Sequence, residues 1–179
     1  SEDDLEFQRR LRAALDPHDL LNPGKILPPA THAPHLAEPD PWEPPRDRAL
    51  VPGDVGEACD IVRWAYRSGL ALLPSGNGTQ PDLGNCSDRA VTALRSTGLS
   101  RVTQYDPANQ VVTVEAGMPL ETLQDVLGQH AQWLPLRPPL GNRHTVGGVV
   151  ALGACGPERL RYGAPRDLLL GLKFISGEG

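Results

Sequence analysis

The sequence predicts an α+β domain that turns glycine-rich loops toward an anion, and three observations carry that reading. Short branched apolar runs at Leu70 to Leu73, Val91 to Leu94 and Val111 to Glu115 read as strands, and they alternate with stretches of helical period. Two glycine-rich segments, Pro74-Ser75-Gly76-Asn77-Gly78-Thr79-Gln80 and Thr145-Val146-Gly147-Gly148, sit beside those elements. Between residues 137 and 166 lie Arg137, Arg143, Arg159, Arg161, Arg166 and His144 with Glu158 as the sole acid, although the whole chain is formally −5. Such local positive potential in an acidic chain suits a bound pyrophosphate or carboxylate; a solvated basic face is the plainer alternative.

Taken in order, the chain divides into a helical tail at 1–27, a proline-rich linker at 28–47 and a domain at 48–179. Leu5, Leu11, Ala14 and Leu15 form one apolar helical stripe that Ser1-x-x-Asp4 can cap and Asp16-Pro17 ends. Residues 28–45 hold seven prolines, no glycine and few apolar side chains, so they form an extended linker. His32 and His35 fall inside it without a cysteine or carboxylate framework, so no metal is expected.

Asp54 with Glu57 makes a capping box before Ala58, Ile61, Val62 and Ala65, which predicts an amphipathic helix over 54–69 leading into the strand at 70–73. Pro119 suits a first helical turn, and Leu120, Leu123 and Leu127 mark the apolar face of a second helix to about His130. Thr145 reads as the N-cap of a third, small-residue helix whose end should offer unpaired N–H groups. Leu168 to Ile175 reads as a strand whose nearly continuous apolar run would need covering, and self-association is the expectation if it stays open.

The first glycine loop fits neither of two familiar phosphate motifs. A Rossmann turn needs a third glycine and a following helix, whereas Thr79-Gln80-Pro81-Asp82-Leu83-Gly84 cannot easily become one. No Gly-Lys-Ser/Thr occurs anywhere, which excludes a Walker loop. Consecutive backbone N–H groups freed by Gly76 and Gly78 can still converge on a phosphate; a plain surface turn is the alternative, and the second glycine segment weighs against it. Cys59, Cys86 and Cys155 are odd in number and lack metal-ligand spacing, which fits a reducing compartment. Cys86 lies just past the loop, close to a ligand or as an inert buried thiol. No apolar run approaches a membrane span and no signal-peptide pattern precedes the acidic start, so a cytoplasmic chain without a transmembrane segment is expected.

These residues carry a resemblance. Pro74-Ser-Gly-Asn-Gly-Thr-Gln-Pro-Asp-Leu-Gly84, Val112-Thr-Val-Glu-Ala-Gly-Met118, Thr145-Val-Gly-Gly148, Gly156-Pro157, Arg161-Tyr-Gly163, Arg166-Asp167 and Leu170-Gly171 follow the order of an FAD-binding domain of the p-cresol methylhydroxylase/vanillyl-alcohol oxidase type. Within that superfamily the first loop is most similar to the smaller, FAD-binding component of bacterial glycolate oxidase, with D-lactate and D-2-hydroxyacid dehydrogenases next. The tail from Ala14 to Ile26 resembles the closing segment of such flavin oxidases. The resemblance implies the first subdomain of that fold and the start of the second.

By the same resemblance, Pro74 and Ser75, Gly76, Asn77, Gly78, Thr79 and Gln80 would wrap the FAD pyrophosphate, and Thr145, Gly147 and Gly148 would approach the cofactor from the other wall. Gly156, Tyr162 and Gly163 would follow along the groove. Thr79 stands where some relatives tether flavin through a histidine, so FAD should be non-covalent. The intact family transfers a hydride from the α-carbon of a 2-hydroxy acid to flavin N5 while a base takes the hydroxyl proton. A chain ending at Gly179 is expected to lack the cap that supplies that base, so no catalytic residue is assigned and no turnover of glycolate or lactate is expected from it alone. Partners implied are a larger flavin subunit and an iron–sulfur subunit at the inner face of a membrane, and no nucleic acid. A non-catalytic assembly module, or a cell-wall precursor reductase or sugar-acid oxidase sharing the fold, remain the alternatives.

Overall fold

The computed structural model describes residues 49–80 and 90–179, which fall into two compact units. The tail at 1–27, the linker at 28–47, and Gly84 and Cys86 lie outside the described residues.

The first unit comprises, among described residues, 49–74, 80, 90–94 and 174–179. Helix α1 runs Val55–Ser68 because its start and stop are both written locally. The Asp54 carboxylate accepts from Glu57 N–H at 2.9 Å, and Glu57 reaches back one residue further than in a standard capping box, accepting from Gly53 N–H at 2.8 Å. Gly69 ends the helix in the left-handed region at φ 63°, where its N–H reaches the Ala65 and Tyr66 carbonyls. Ala58, Ile61, Val62 and Ala65 are all buried, as the helical period predicts, and Trp64 joins them. The buried set Leu50, Ile61, Val62, Trp64, Ala65 and Leu72 forms the core, with Leu70, Leu94 and Ile175 packed on it. Strand β1, Ala71–Ser75, pairs with β2, Val91–Arg95, and Leu50 adds a parallel bridge to Leu94.

The second unit comprises residues 75–79 and 95–173. Strands β3, Val102–Asp106, and β4, Val111–Val114, form an antiparallel hairpin in the register Gln104↔Thr113, Tyr105↔Val112 and Asp106↔Val111, with a bulge between Val102 and Gln104. Strand β3 is not apparent from apolar content, since Thr103 and Gln104 interrupt it; its partner strand makes it a strand. The Asn109 side chain and backbone close the turn on the Asp106 carboxylate, and the same bonds hold that carboxyl below its ordinary range. Helix α2, Leu120–Gly128, buries Leu120, Leu123 and Leu127 on the predicted face. Gln124 brackets the chain beyond it, donating to the Leu134 carbonyl at 2.6 Å and accepting from Leu134 N–H at 3.0 Å. Helix α3, Val146–Leu152, and two single turns, α4 at Arg159–Tyr162 and α5 at Pro165–Leu168, complete the unit. Its core joins Met118, Leu123 and Leu127 under the hairpin and Leu120, Leu136 and Val149 under α3.

The strand expected over Leu168 to Ile175 does not form. Pro165 opens α5, the Asp167 carboxylate accepts from Ala164 N–H at 2.8 Å, and the chain beyond Leu168 has no ladder partner among the described residues. An apolar run becomes a strand only where a neighbour takes its backbone groups. Leu170, Leu172 and Phe174 are therefore exposed. No helix among the described residues is long and apolar enough to cross a membrane.

The hairpin is extended past its last strand pair by Arg101 and Glu115. Glu115 N–H donates to the Arg101 carbonyl at 2.9 Å, Arg101 N–H donates to Glu115 Oε2 at 2.8 Å, and the guanidinium grips both carboxylate oxygens. The Arg101 guanidinium, and after it the Arg101 backbone N–H, holds the Glu115 carboxyl below the usual glutamate range. A depressed carboxyl stabilises the fold above its ordinary range, and that contribution is lost as pH falls through the lowered value. Glu115→Gln should therefore cost about 1–2 kcal/mol near neutral pH and flatten the acid limb of a urea-midpoint profile. An unchanged acid limb in the variant would show that this carboxylate does not control it.

Candidate functional site

The first glycine loop, Ser75–Thr79, belongs to the second unit, while the flanking Pro74 and Gln80 are counted with the first. Its path is set by contact. A β-carbon on Gly76 would overlap Thr145 Oγ1 and stand 3.0 and 3.2 Å from Thr145 Cγ2 and Cβ, so only glycine fits there. Asn77 Nδ2 donates to the Arg143 carbonyl at 2.9 Å, and Thr79 Oγ1 lies 2.7 Å from His144 Nδ1. Between these two ties Gly78 adopts φ 65° with open space where a β-carbon would point. Among the described residues no hydrogen bond uses the backbone N–H of Gly76, Asn77, Gly78 or Thr79. The loop thus carries four successive N–H groups that no described residue takes, beside an exposed glycine with open space where a β-carbon would point.

The second segment is built differently from the sequence expectation. Thr145 caps α3 as predicted, accepting from Gly148 N–H at 3.2 Å. The other helix-end donors are already taken: Val146 N–H by the Met118 carbonyl at 2.8 Å and Gly147 N–H by the Ala116 carbonyl at 2.7 Å. The end of α3 thus offers no free N–H at its first three positions, because the chain at 116–120 runs antiparallel to it through the Pro119–Thr145 bridge. Gly147 is needed for packing, since its β-carbon would stand 2.8 Å from both Cβ and O of Ala116. A β-carbon on Gly148 would lie 3.1 Å from Thr145 Oγ1. Thr145 is therefore the surface on which Gly76 rests, while Gly147 and Gly148 pack the start of α3 against Ala116 and Thr145.

Gly156, Tyr162 and Gly163 form a separate group. A β-carbon on Gly156 would run into the Arg137 carbonyl, while Arg137 Nε pairs with Glu158 Oε1 at 3.2 Å. Tyr162 meets Trp133 edge-on at 5.4 Å, and the Arg161 guanidinium lies 5.4 Å from its ring centre. Gly163 takes φ 91° against the Asp167 side chain. A shallow cavity of about 280 Å³ lies nearby, lined by Val150, Gly153, Cys155, Arg159, Ala164, Pro165, Arg166 and Leu169 and by none of those three residues. The basic cluster is partly spent on ion pairs, Arg137 with Glu158 and Arg166 with Asp167. His144, which the sequence groups with the charges facing an anion, is 1% exposed and holds both ring nitrogens inside the protein. Its place directly before the Thr145 cap is the signal that marks it.

Comparison with known proteins places the chain in a family. Residues 46–179 match the family described as FAD binding domain. The chain is 30% identical over 138 residues to a D-2-hydroxyglutarate dehydrogenase of Xanthomonas citri pv. viticola, covering 77% of this chain and 29% of that protein. It is 42% identical over 79 residues to glycolate oxidase subunit GlcE of Escherichia coli, covering 44% of this chain and 23% of that one. An alkyldihydroxyacetonephosphate synthase structure superposes with a TM-score of 0.65 at 19% identity, covering 73% of this chain and 24% of that chain, which shows the fold. The chain thus spans between a fifth and a third of the length of these relatives.

If Gly76 and Gly147 serve packing, their β-carbons should be felt without any ligand. Gly76→Ala and Gly147→Ala should each cost about 1–3 kcal/mol in urea unfolding of the ligand-free protein. Gly78→Ala meets no neighbour and should cost only its left-handed strain, about 1 kcal/mol. Equal losses at the three sites would contradict the packing account.

Proposed function

The chain belongs to the FAD-binding domain family, and from that premise we propose that it forms the cofactor-holding part of a flavin-dependent oxidoreductase acting on a 2-hydroxy acid such as glycolate, D-lactate or D-2-hydroxyglutarate. The observation that carries this reading is the loop at Ser75–Thr79, with N–H donors that no described residue takes, its left-handed Gly78 and no described atom within 4 Å of the β-carbon position there. These residues fit a diphosphate. Backbone donors fixed by Gly76 on Thr145 hold it without a lysine, and cost no side-chain ordering when it binds. Pro74 and Gln80 flank the same loop, and Gly156, Tyr162 and Gly163 are proposed to line the cofactor's further course.

FAD, when bound, supplies the hydride acceptor for oxidation of the substrate's α-carbon. This chain's residues bind and orient it. Attachment is proposed to be non-covalent: Thr79 offers a hydroxyl, and the neighbouring His144 has both nitrogens committed to protein partners. Further oxidase subunits are proposed as partners, since one relative is itself named as a subunit.

Purified protein should take up FAD and release all of it into the supernatant on acid precipitation. Gly78→Asp should abolish uptake, because it places a carboxylate and a β-carbon where a phosphate approaches. Flavin retained in the acid pellet would end the non-covalent reading, and normal flavin content in Gly78→Asp would end the loop assignment.

A further inference from the structure

The residue before the α3 cap is tied in three directions. The His144 carbonyl accepts from Leu120 N–H at 2.9 Å, which fixes its main chain to the start of α2. Its Nε2 lies 2.6 Å from the Pro139 carbonyl and its Nδ1 lies 2.7 Å from Thr79 Oγ1. A carbonyl oxygen only accepts, so Nε2 carries a proton. In the neutral ring Nδ1 is then a bare acceptor, and the Thr79 hydroxyl donates to it. One residue earlier, the Arg143 carbonyl accepts from Asn77 Nδ2.

We propose that His144 is a positioning residue for the phosphate loop: it turns the Thr79 hydroxyl proton inward while Arg143 holds Asn77, so both arms of Gly78 are clamped and the loop meets its ligand with backbone N–H groups. Glycine at φ 65° is the residue with most freedom to leave that conformation, and ties on each side remove this freedom before the ligand arrives. Thr79 then acts through His144 and not as a hydroxyl donor to phosphate. The inference deepens the FAD reading above and rests on it for its ligand.

The test combines FAD titration with the ring's own signature. His144→Phe and Thr79→Val should each weaken FAD binding about tenfold or more, and the double variant should be no weaker than His144→Phe alone, since both substitutions remove the Thr79–His144 bond and only His144→Phe also removes the bond to Pro139. His144→Asn places an amide oxygen where Nδ1 stands and should recover most of the affinity, whereas His144→Gln reaches the Nε2 position and should not. Additive losses, or rescue by Gln in place of Asn, would overturn the proposal. Nitrogen-15 spectra of His144 in the unsubstituted, FAD-free protein should show Nε2 protonated and Nδ1 bare. The opposite tautomer, or two protonated nitrogens, would overturn it even if the Phe variant failed to fold. Failure of the unsubstituted protein to take up FAD would sink the functional reading instead, while the tautomer still decides the clamp.

Discussion

The contact between Gly76 and Thr145 is the constraint on which the site depends. Thr145 is 2% exposed and does three things at once: it caps α3 through Oγ1, bridges to Pro119 through its backbone, and presents its side chain as the floor for the Gly76 backbone. Each role needs the others. The cap fixes the hydroxyl, the bridge fixes the main chain, and only then is the surface under Gly76 fixed well enough for the donor loop to keep one shape.

Two kinds of glycine that look alike in a sequence are thereby separated. Gly76 and Gly147 are small because another part of the chain occupies the space where a side chain would go. Gly78 is glycine because its backbone is left-handed, and the space beside it is open. Support and function are thus divided between neighbouring residues of one short loop. The division explains how a loop proposed to hold phosphate can be rigid without being filled: rigidity comes from the inner glycine's packing and openness from the outer one's lack of it.

Elements whose signals are local are legible in the sequence. Helix α1 announces itself by Asp54 and Glu57, α2 by three leucines at helical spacing, and α3 by Thr145 followed three residues later by Gly148, whose N–H it caps. Features that depend on a distant partner are not. Strand β3 carries Thr103 and Gln104 and exists because β4 pairs with it, whereas Leu168 to Ile175 has strand composition and no such partner among the described residues. A small-residue helix end suggests free donors at the start of α3, yet Met118 and Ala116 reach them through a bridge that no local pattern shows. His144 stands out in the sequence by its charge, but burial and two hydrogen bonds decide its role.

The electrostatics of the described residues follow from the same division. Two of the five arginines in 137–166 are paired with carboxylates, and His144 turns inward, so formal positive charge is a poor guide to where an anion sits. A lysine or arginine at the loop would need its long side chain ordered and its charge partly desolvated when a phosphate arrives. In the proposed reading, successive N–H groups on a loop tied to Thr145, Arg143 and His144 carry neither cost, since the loop is fixed by contacts formed on folding. An acidic chain can therefore hold a dianionic linkage through its main chain, provided that the residues behind the loop are packed tightly enough to keep those dipoles aligned.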